Sequence, residues 1–406
     1  MADPHPAVDA AGTPAAPLAL DGIRVLDFTQ MMLGPYATQV LGDLGADVIK
    51  VERPRDGEWE RGLTFGGRLV DGDSPAFLAM NRNKRSVAID LKAPGARDAL
   101  LRVGATCDVV VENFRPGVLD RLGLGYDDFR AVRPDIVYCS GSGWGQRTPS
   151  AARNRPGQDL LIQAASGLAY NAGTATDPPV AAGTSICDAT GALTLVNGIL
   201  AALLARARHG IGQRVEVDLF HSTIAIMCQE ISAMVNLDLE VSRSAAGVAQ
   251  PWLDAPFGIY RTADGFLALS MGDLSLVAEV VDADLAGLHP WTDRDEVKRR
   301  LDRRTPQRTT DQWLDVLLGA GLWAAPVRTM REAVDELRAD GSPLVVTTEH
   351  PNGEEIELIG CPITLSATPW RQRRRPPAVG EHTREVLGAV LNPEELAALD
   401  AAGALS

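Results

Sequence analysis

The chain has 406 residues, 45% of them hydrophobic and 23% charged, with a formal net charge of -14. It is too apolar for a disordered protein, and its average field opposes DNA and RNA, which argues against a nucleic-acid partner. Five scattered cysteines (Cys107, Cys139, Cys187, Cys228, Cys361) show no CxxC or Cys/His ligand spacing, which predicts free thiols and no metal site.

Residues 1–20 are rich in Ala and Pro, with no basic start and no continuous apolar stretch. They are expected to form a disordered lead rather than a signal peptide. The run Gly22–Phe28 reads as a buried strand, Gly34–Leu44 as a helix with Pro35 in its first turn, and Gly45–Glu52 as the next strand. Strand, helix and strand within ~30 residues make the βαβ unit of a parallel sheet. The alternation continues with extended segments at Ser86–Leu91, Asp108–Glu112 and Asp135–Ser140, and with helices at Gly95–Ala105 and Tyr126–Val132. An α/β, doubly wound, Rossmann-like domain follows from this pattern.

Asp188–Arg208 reads as a long apolar helix, followed by a strand at Gln213–Leu219 and a helix from His221. Its most apolar part, Ala192–Leu204, is shorter than the ~20 residues that cross a bilayer, so no membrane partner and a cytoplasmic location are expected. Ile259–Ser270 reads as a hairpin turning at Asp264-Gly265, with helical sequence after it to about Leu318. Strand-like segments return at Leu344–Thr348 and Glu355–Ile359, and a short helix follows Gly380. The Arg371–Arg375 cluster is expected to be a solvated surface loop. The predicted organisation is a large domain from residues 21–222 and 325–406, with a smaller α+β domain at 223–324.

The turn after the first strand, Met31–Gly34, lacks the G-x-G-x-x-G of a dinucleotide site, which argues against a dehydrogenase. No Ser/His/Asp constellation is visible, and His221 and His382 both read as helix-end residues. Asp188 opens a helix, and from residue type alone it reads first as an N-cap, Asp being among the best capping residues, ahead of a functional carboxylate.

A set of short phrases in fixed order resembles the family III CoA transferases (CaiB/BaiF type), the superfamily that includes formyl-CoA transferases and α-methylacyl-CoA racemases. They are Leu26-Asp-Phe-Thr with Gly34-Pro35, Leu44–Glu52, Asn81–Ser86, Glu112–Gly117, Gly143–Gln146, Gly157-Gln-Asp159, Gly212-Gln213 and Gly380–Thr383. The resemblance spans Gly22 to Leu387. It implies an interlocked homodimer whose substrates are acyl-CoA and a carboxylic acid, with no permanently bound cofactor. It also implies that Asp188, in Gly183–Gly191, is the acyl acceptor, passing through a mixed anhydride and an aspartyl-CoA thioester.

CoA is then expected beside Met32 and Leu33, Arg53, Ile89, Asp90 and Lys92, and Asn113, Phe114, Arg115 and Arg121, with Arg155 a weaker candidate. Arg would serve the phosphates and Phe114 a flat group. Gln158 and Asp159 are possible supporting positions. The racemases carry His where this chain has Gln158, and a carboxamide cannot shuttle a proton at neutral pH. Met32 stands where formyl-CoA transferases carry Gln, which argues against formyl-CoA and oxalate. A racemase and a non-catalytic CoA-binding dimer remain the alternatives.

Overall fold

Six short strands rich in Val, Ile and Leu build the main sheet: β1 Arg24–Asp27, β2 Asp47–Glu52, β3 Lys84–Ala88, β4 Val109–Glu112, β5 Val137–Ser142 and β6 Gln213–Asp218. The computed structural model describes residues 16–146, 155–240 and 242–405. Every neighbouring pair in this sheet is parallel, in the order β3-β2-β1-β4-β5-β6. Val25 sits between Val48 and Val109, all fully buried, as expected for a sheet covered on both faces. This is the doubly wound order of the Rossmann class.

The described residues divide into two compact units. The first comprises Met1–Gln158, Ile186–Ser222 and Gly341–Ser406. Its core joins Leu26, Ile49 and Val110 of the sheet with Phe129 and Tyr138, and with Val386, Leu387 and Leu399 from the chain's last helices, Thr383–Gly388 and Pro393–Ala401. The second unit comprises Asp159–Ser185 and Thr223–Asp340; against the 223–324 expected for the smaller domain it starts at the same residue, runs on to 340 and adds the separate segment 159–185. It holds the antiparallel strands β7 Phe257–Arg261, β8 Phe266–Ser270 and β9 Trp323–Pro326 around Tyr260, Leu267, Val277 and Trp313. Its hairpin turns at Asp264-Gly265 as the sequence predicts, with Arg261 opposite Phe266.

Several expectations need correction. Residues 1–15 of the expected disordered lead lie outside the described residues. Leu18 and Leu20 of that lead are packed: Leu18 is buried, and the Leu20 N–H donates to Leu44 O at 2.8 Å. β3 starts at Lys84, two residues before the expected Ser86. The strands β10 Val345–Glu349 and β11 Glu355–Ile359 pair only with each other among the described strands. The long helix runs Ile186–His209, 24 residues, long and apolar enough by length and composition to cross a membrane. In the first unit, however, its stripe of Gly191, Leu195, Val196, Ile199 and Leu203 is buried.

The Arg371–Arg375 segment lies at the surface but is pinned, not merely solvated. Arg373 donates to Gly42 O and Ala46 O at 2.8 and 2.7 Å, and the backbone N–H groups of Arg373 and Arg374 donate to Asn83 Oδ1. Beside it, Arg82 and Asp43 form a fully buried pair at 2.6 Å, and Arg82 also donates to Ile359 O. Removing one partner of such a pair leaves an uncompensated buried charge, costing about 3–5 kcal/mol. Arg82→Met is therefore expected to lower unfolding stability by about that much in urea titration, with amide exchange rising first across residues 355–375.

Candidate active site

In an open sheet of this order, ligands bind beyond the carboxyl ends of the strands where the winding reverses, here between β1 and β4. The turn after β1 and the turn after β4 are joined there by one side chain. Asn113 accepts the Gln30 N–H at 2.8 Å through Oδ1 and donates to Gln30 O at 2.7 Å through Nδ2. The next residue, Met31, has φ of 62°, a left-handed conformation that costs a non-glycine residue roughly 1–3 kcal/mol. Its N–H is held by Glu58 Oε2 at 3.0 Å. Met32 follows, half-buried, and helix α1, Leu33–Asp43, begins.

Asp188 is the third residue of the helix Ile186–His209, so it sits inside the first turn and is not the N-cap. It is half-buried, and the positive end of the helix dipole favours its charge. Leu33 carries this turn to the reversal point. Gly191 lies so close that a Cβ there would come 2.9 Å from Leu33 Cδ1 and 2.7 Å from Leu219 Cδ2. A Cβ on Gly141 of β5 would meet Leu33 Cδ2 at 2.4 Å. Leu33, expected to face CoA, thus has its side chain wedged between β5 and the Asp188 helix.

Beneath these turns lies a buried ionic network that the sequence reading missed. Lys50 pairs with Glu58 at 2.7 Å, Lys84 with Asp27 at 3.2 Å, and Arg61 with Glu52 at 2.8 Å. Burial opposes charge on Asp27, yet Lys84 and Lys50 hold its carboxyl below the usual range. Burial likewise opposes charge on Lys50, and Glu58 and Asp27 outweigh it, raising the ammonium. Lys84, desolvated and beside a second cation, is lowered to about 8. Glu60 is different: burial, then the Glu58 charge, and to a lesser extent that of Asp188, push it up to about 8. Glu112 at the end of β4 is pushed up to about 7 by burial. In sequence, Glu58-Trp-Glu-Arg61 looks like an ordinary solvated charge run. Its flanking Gly57 and Gly62 were the only signal of a tight turn.

Beyond Met32 and Leu33, the expected CoA residues are distributed over the segments that follow β2, β3, β4 and β5. Asn113, Phe114, Arg115 and Arg155 come together around a cavity of about 110 Å³ with Ser142–Gly145 and Gly157. That volume suits one small group and falls below the ~300–1,000 Å³ of a full ligand pocket. Arg53, Asp90, Lys92 and Arg121 are exposed and do not line it. Arg53 donates to Gly57 O at 3.1 Å, and Asp90 accepts the Lys92 N–H at 2.9 Å. Ile89 is a core side chain, 1% exposed, offering no surface to a ligand.

Gln158 is exposed. Asp159 is buried and accepts from Gln163 Nε2 at 2.5 Å, while Gln163 Oε1 accepts the Ala182 N–H at 2.8 Å. Gln163, absent from the sequence reading, therefore braces Asp159. His221 pairs with Asp218 at 2.8 Å, and His382 precedes the helix Thr383–Gly388. Among the described residues no His/Cys/Asp/Glu group is arranged to hold a metal ion, and all five cysteines are free.

The Asn113–Gln30 clasp is the local feature most open to test. Asn113→Ala leaves two part-buried backbone groups without that partner, a cost of about 1–3 kcal/mol. The expected outcome is a stability loss in that range by denaturant titration, with faster amide exchange confined to Gln30–Leu33.

Residues 20–383 match the family model described as CoA-transferase family III. The chain is 33% identical over 387 residues to the succinyl-CoA:glutarate CoA-transferase of Mus musculus, covering 93% of this chain and 87% of that one. It is 33% identical over 393 residues to the succinyl-CoA:mesaconate CoA-transferase of Haloarcula hispanica, covering 91% and 96%. Among solved structures it resembles a CaiB/BaiF family protein from Brucella suis, with a TM-score of 0.81, 28% identity, and 92% and 100% of the two chains covered. The chain belongs to the family III CoA-transferases.

Proposed function

We propose that this enzyme moves CoA from an acyl-CoA donor to a carboxylic acid, with Asp188 as the covalent acceptor. The observation that carries the assignment is the place of Asp188: the first turn of a helix that Leu33 and Gly191 bring to the β1/β4 reversal point. The Asp188 carboxylate attacks the thioester carbonyl, the C–S bond breaks, and CoA leaves as thiolate. The thiolate attacks the aspartyl carbonyl of the mixed anhydride, and the first acid leaves as its carboxylate. The second acid runs the same steps in reverse. One negative charge moves throughout and no proton is gained or lost, so the reaction asks for no general base.

Asn113, Phe114, Arg115 and Arg155 line the position suited to one phosphate or the adjoining pantetheine. Arg53, Lys92 and Arg121 would supply cations at the rim, and Asp159, braced by Gln163, would be a supporting carboxylate. The names of the related enzymes put short dicarboxylic acids first among the acids to try. The reading also includes a homodimer in the cytoplasm. Its support is apolar surface: the helix Cys228–Leu237 has no buried residue and exposes Met234, Val235 and Leu237. A single species of twice the 43.2 kDa chain mass in multi-angle light scattering is expected, and a monomer at micromolar concentration would refute the dimer.

The decisive experiment compares intact mass of wild type and Asp188→Ala after mixing with a pool of acyl-CoAs. A hydroxylamine-sensitive CoA adduct on wild type alone is expected. Both proteins binding CoA with neither gaining mass would sink the covalent route. Exchange of the α-hydrogen in deuterated water would instead point to a racemase.

A further inference from the structure

The small cavity beyond β4 and β5 holds two arginines, Arg115 and Arg155, and no carboxylate lines it. Neither arginine has an ion-pair partner among the described residues. Two like charges facing one cavity are relieved by an anion between them, and the guanidinium fork suits a phosphate. Arg155 is exposed, so its own packing does not aim it into this cavity.

The two residues that follow it do. In Arg155-Pro156-Gly157, proline fixes its own φ and confines the residue before it to extended backbone. Anchoring Pro156 and Gly157 therefore sets where Arg155 starts and which way it points. Both anchors come from Gly143-Trp144, just past β5. The Trp144 indole N–H donates to Pro156 O at 3.1 Å. Gly143 and Gly157 touch backbone to backbone: a Cβ on Gly143 would come 2.3 Å from Gly157 Cα, and one on Gly157 would come 2.4 Å from Gly143 Cα. Any other residue at either position would drive the two segments apart. Trp144 is itself held from β6 and the helix after it. Its ring packs on Phe220, with centroids 5.6 Å apart, and the Phe220 N–H donates to Gly143 O at 3.1 Å.

We propose that Trp144 is a positioning residue for CoA: its indole N–H, with the Gly143–Gly157 contact, holds Arg155 at the cavity shared with Arg115, where a CoA phosphate binds. This rests on the reading that CoA occupies that cavity. Trp144 acts through the Pro156 carbonyl and carries no charge of its own to the phosphate. An exposed arginine on a free strand of chain must be ordered when the anion arrives, and that cost lowers affinity. With Pro156 and Gly157 already fixed, much of the ordering is done before CoA binds. The effect falls on CoA and leaves the acceptor acid, which carries no phosphate, untouched.

The test measures binding of free CoA to the full chain by calorimetry. Trp144→Phe keeps a ring against Phe220 and removes only the donor. It is expected to raise the Kd for CoA about fivefold, the size of ordering one long side chain. KM for succinyl-CoA is expected to rise by a similar factor while KM for glutarate stays within about twofold, a split that a general loss of structure would not produce. The double-mutant cycle decides whether Trp144 works through Arg155. Arg155→Ala is expected to weaken CoA about tenfold in wild type but less than about threefold in the Trp144→Phe background. Equal losses in the two backgrounds, or an unchanged CoA affinity in Trp144→Phe, overturn the proposal. Should Trp144→Phe fail to fold, Gly157→Ala, which displaces the same segment, takes its place in the cycle under the same criteria. A wild type that binds no CoA removes the CoA reading and this one together. One that binds CoA with additive losses removes only the role of Trp144.

Discussion

The site rests on four charges buried under the carboxyl ends of β1, β2 and β3: Asp27, Lys50, Glu58 and Lys84. Desolvating each ion costs several kcal/mol, and only close pairing with every remaining lone pair and proton engaged offsets it. Much of that engagement is with backbone. Lys50 holds Thr29 O, Lys84 holds Pro35 O, and Glu58 holds the Met31 N–H. The turn after β1 is therefore fixed on both sides of its left-handed residue before any substrate arrives, with the clasp from Asn113 closing the other flank. Groups held in place beforehand need no reorganisation when charge develops, which is where such sites gain most.

The same network determines what charge remains near Asp188. Its members pair off, and Arg61 pairs with Glu52, so the buried carboxyl of Glu60 has none of these cations to itself. A reaction that moves one negative charge and no proton suits such a place. The histidines fit this division: His221 is exposed and bound to Asp218, and His382 fastens the C-terminal segment by donating its N–H to Ser86 O.

The alternation of apolar strands and amphipathic helices made the parallel sheet legible in the sequence, and the ordered phrases made the family so. What stayed hidden was hidden for a physical reason. β3 begins two residues before the expected Ser86, at Lys84, a charged residue that is fully buried because Asp27, far away in sequence, meets it. Glu58 and Glu60 were passed over for the same reason, since burial of a carboxylate depends on partners that local spacing does not reveal. Leu33 and Ile89 came with the right loops, but loop membership does not say which way a side chain points. The Arg371–Arg375 segment looked like free surface because its partners, Gly42 O, Ala46 O and Asn83, lie hundreds of residues away.

The commitment of these cations also bears on how acids are told apart. Lys50, Lys84 and Arg61 are each bound to a carboxylate of the fold, so none is left to hold the far carboxylate of a dicarboxylic acid. Breaking one of those pairs to bind it would expose a buried like charge at a cost larger than one surface-type contact returns. Recognition of the acid's distal end must therefore fall to residues outside β1–β3 and the 58–61 turn. Changes of acid specificity are then to be sought in the rest of the chain, where a substitution can alter a pocket without unpairing the frame that holds the turn.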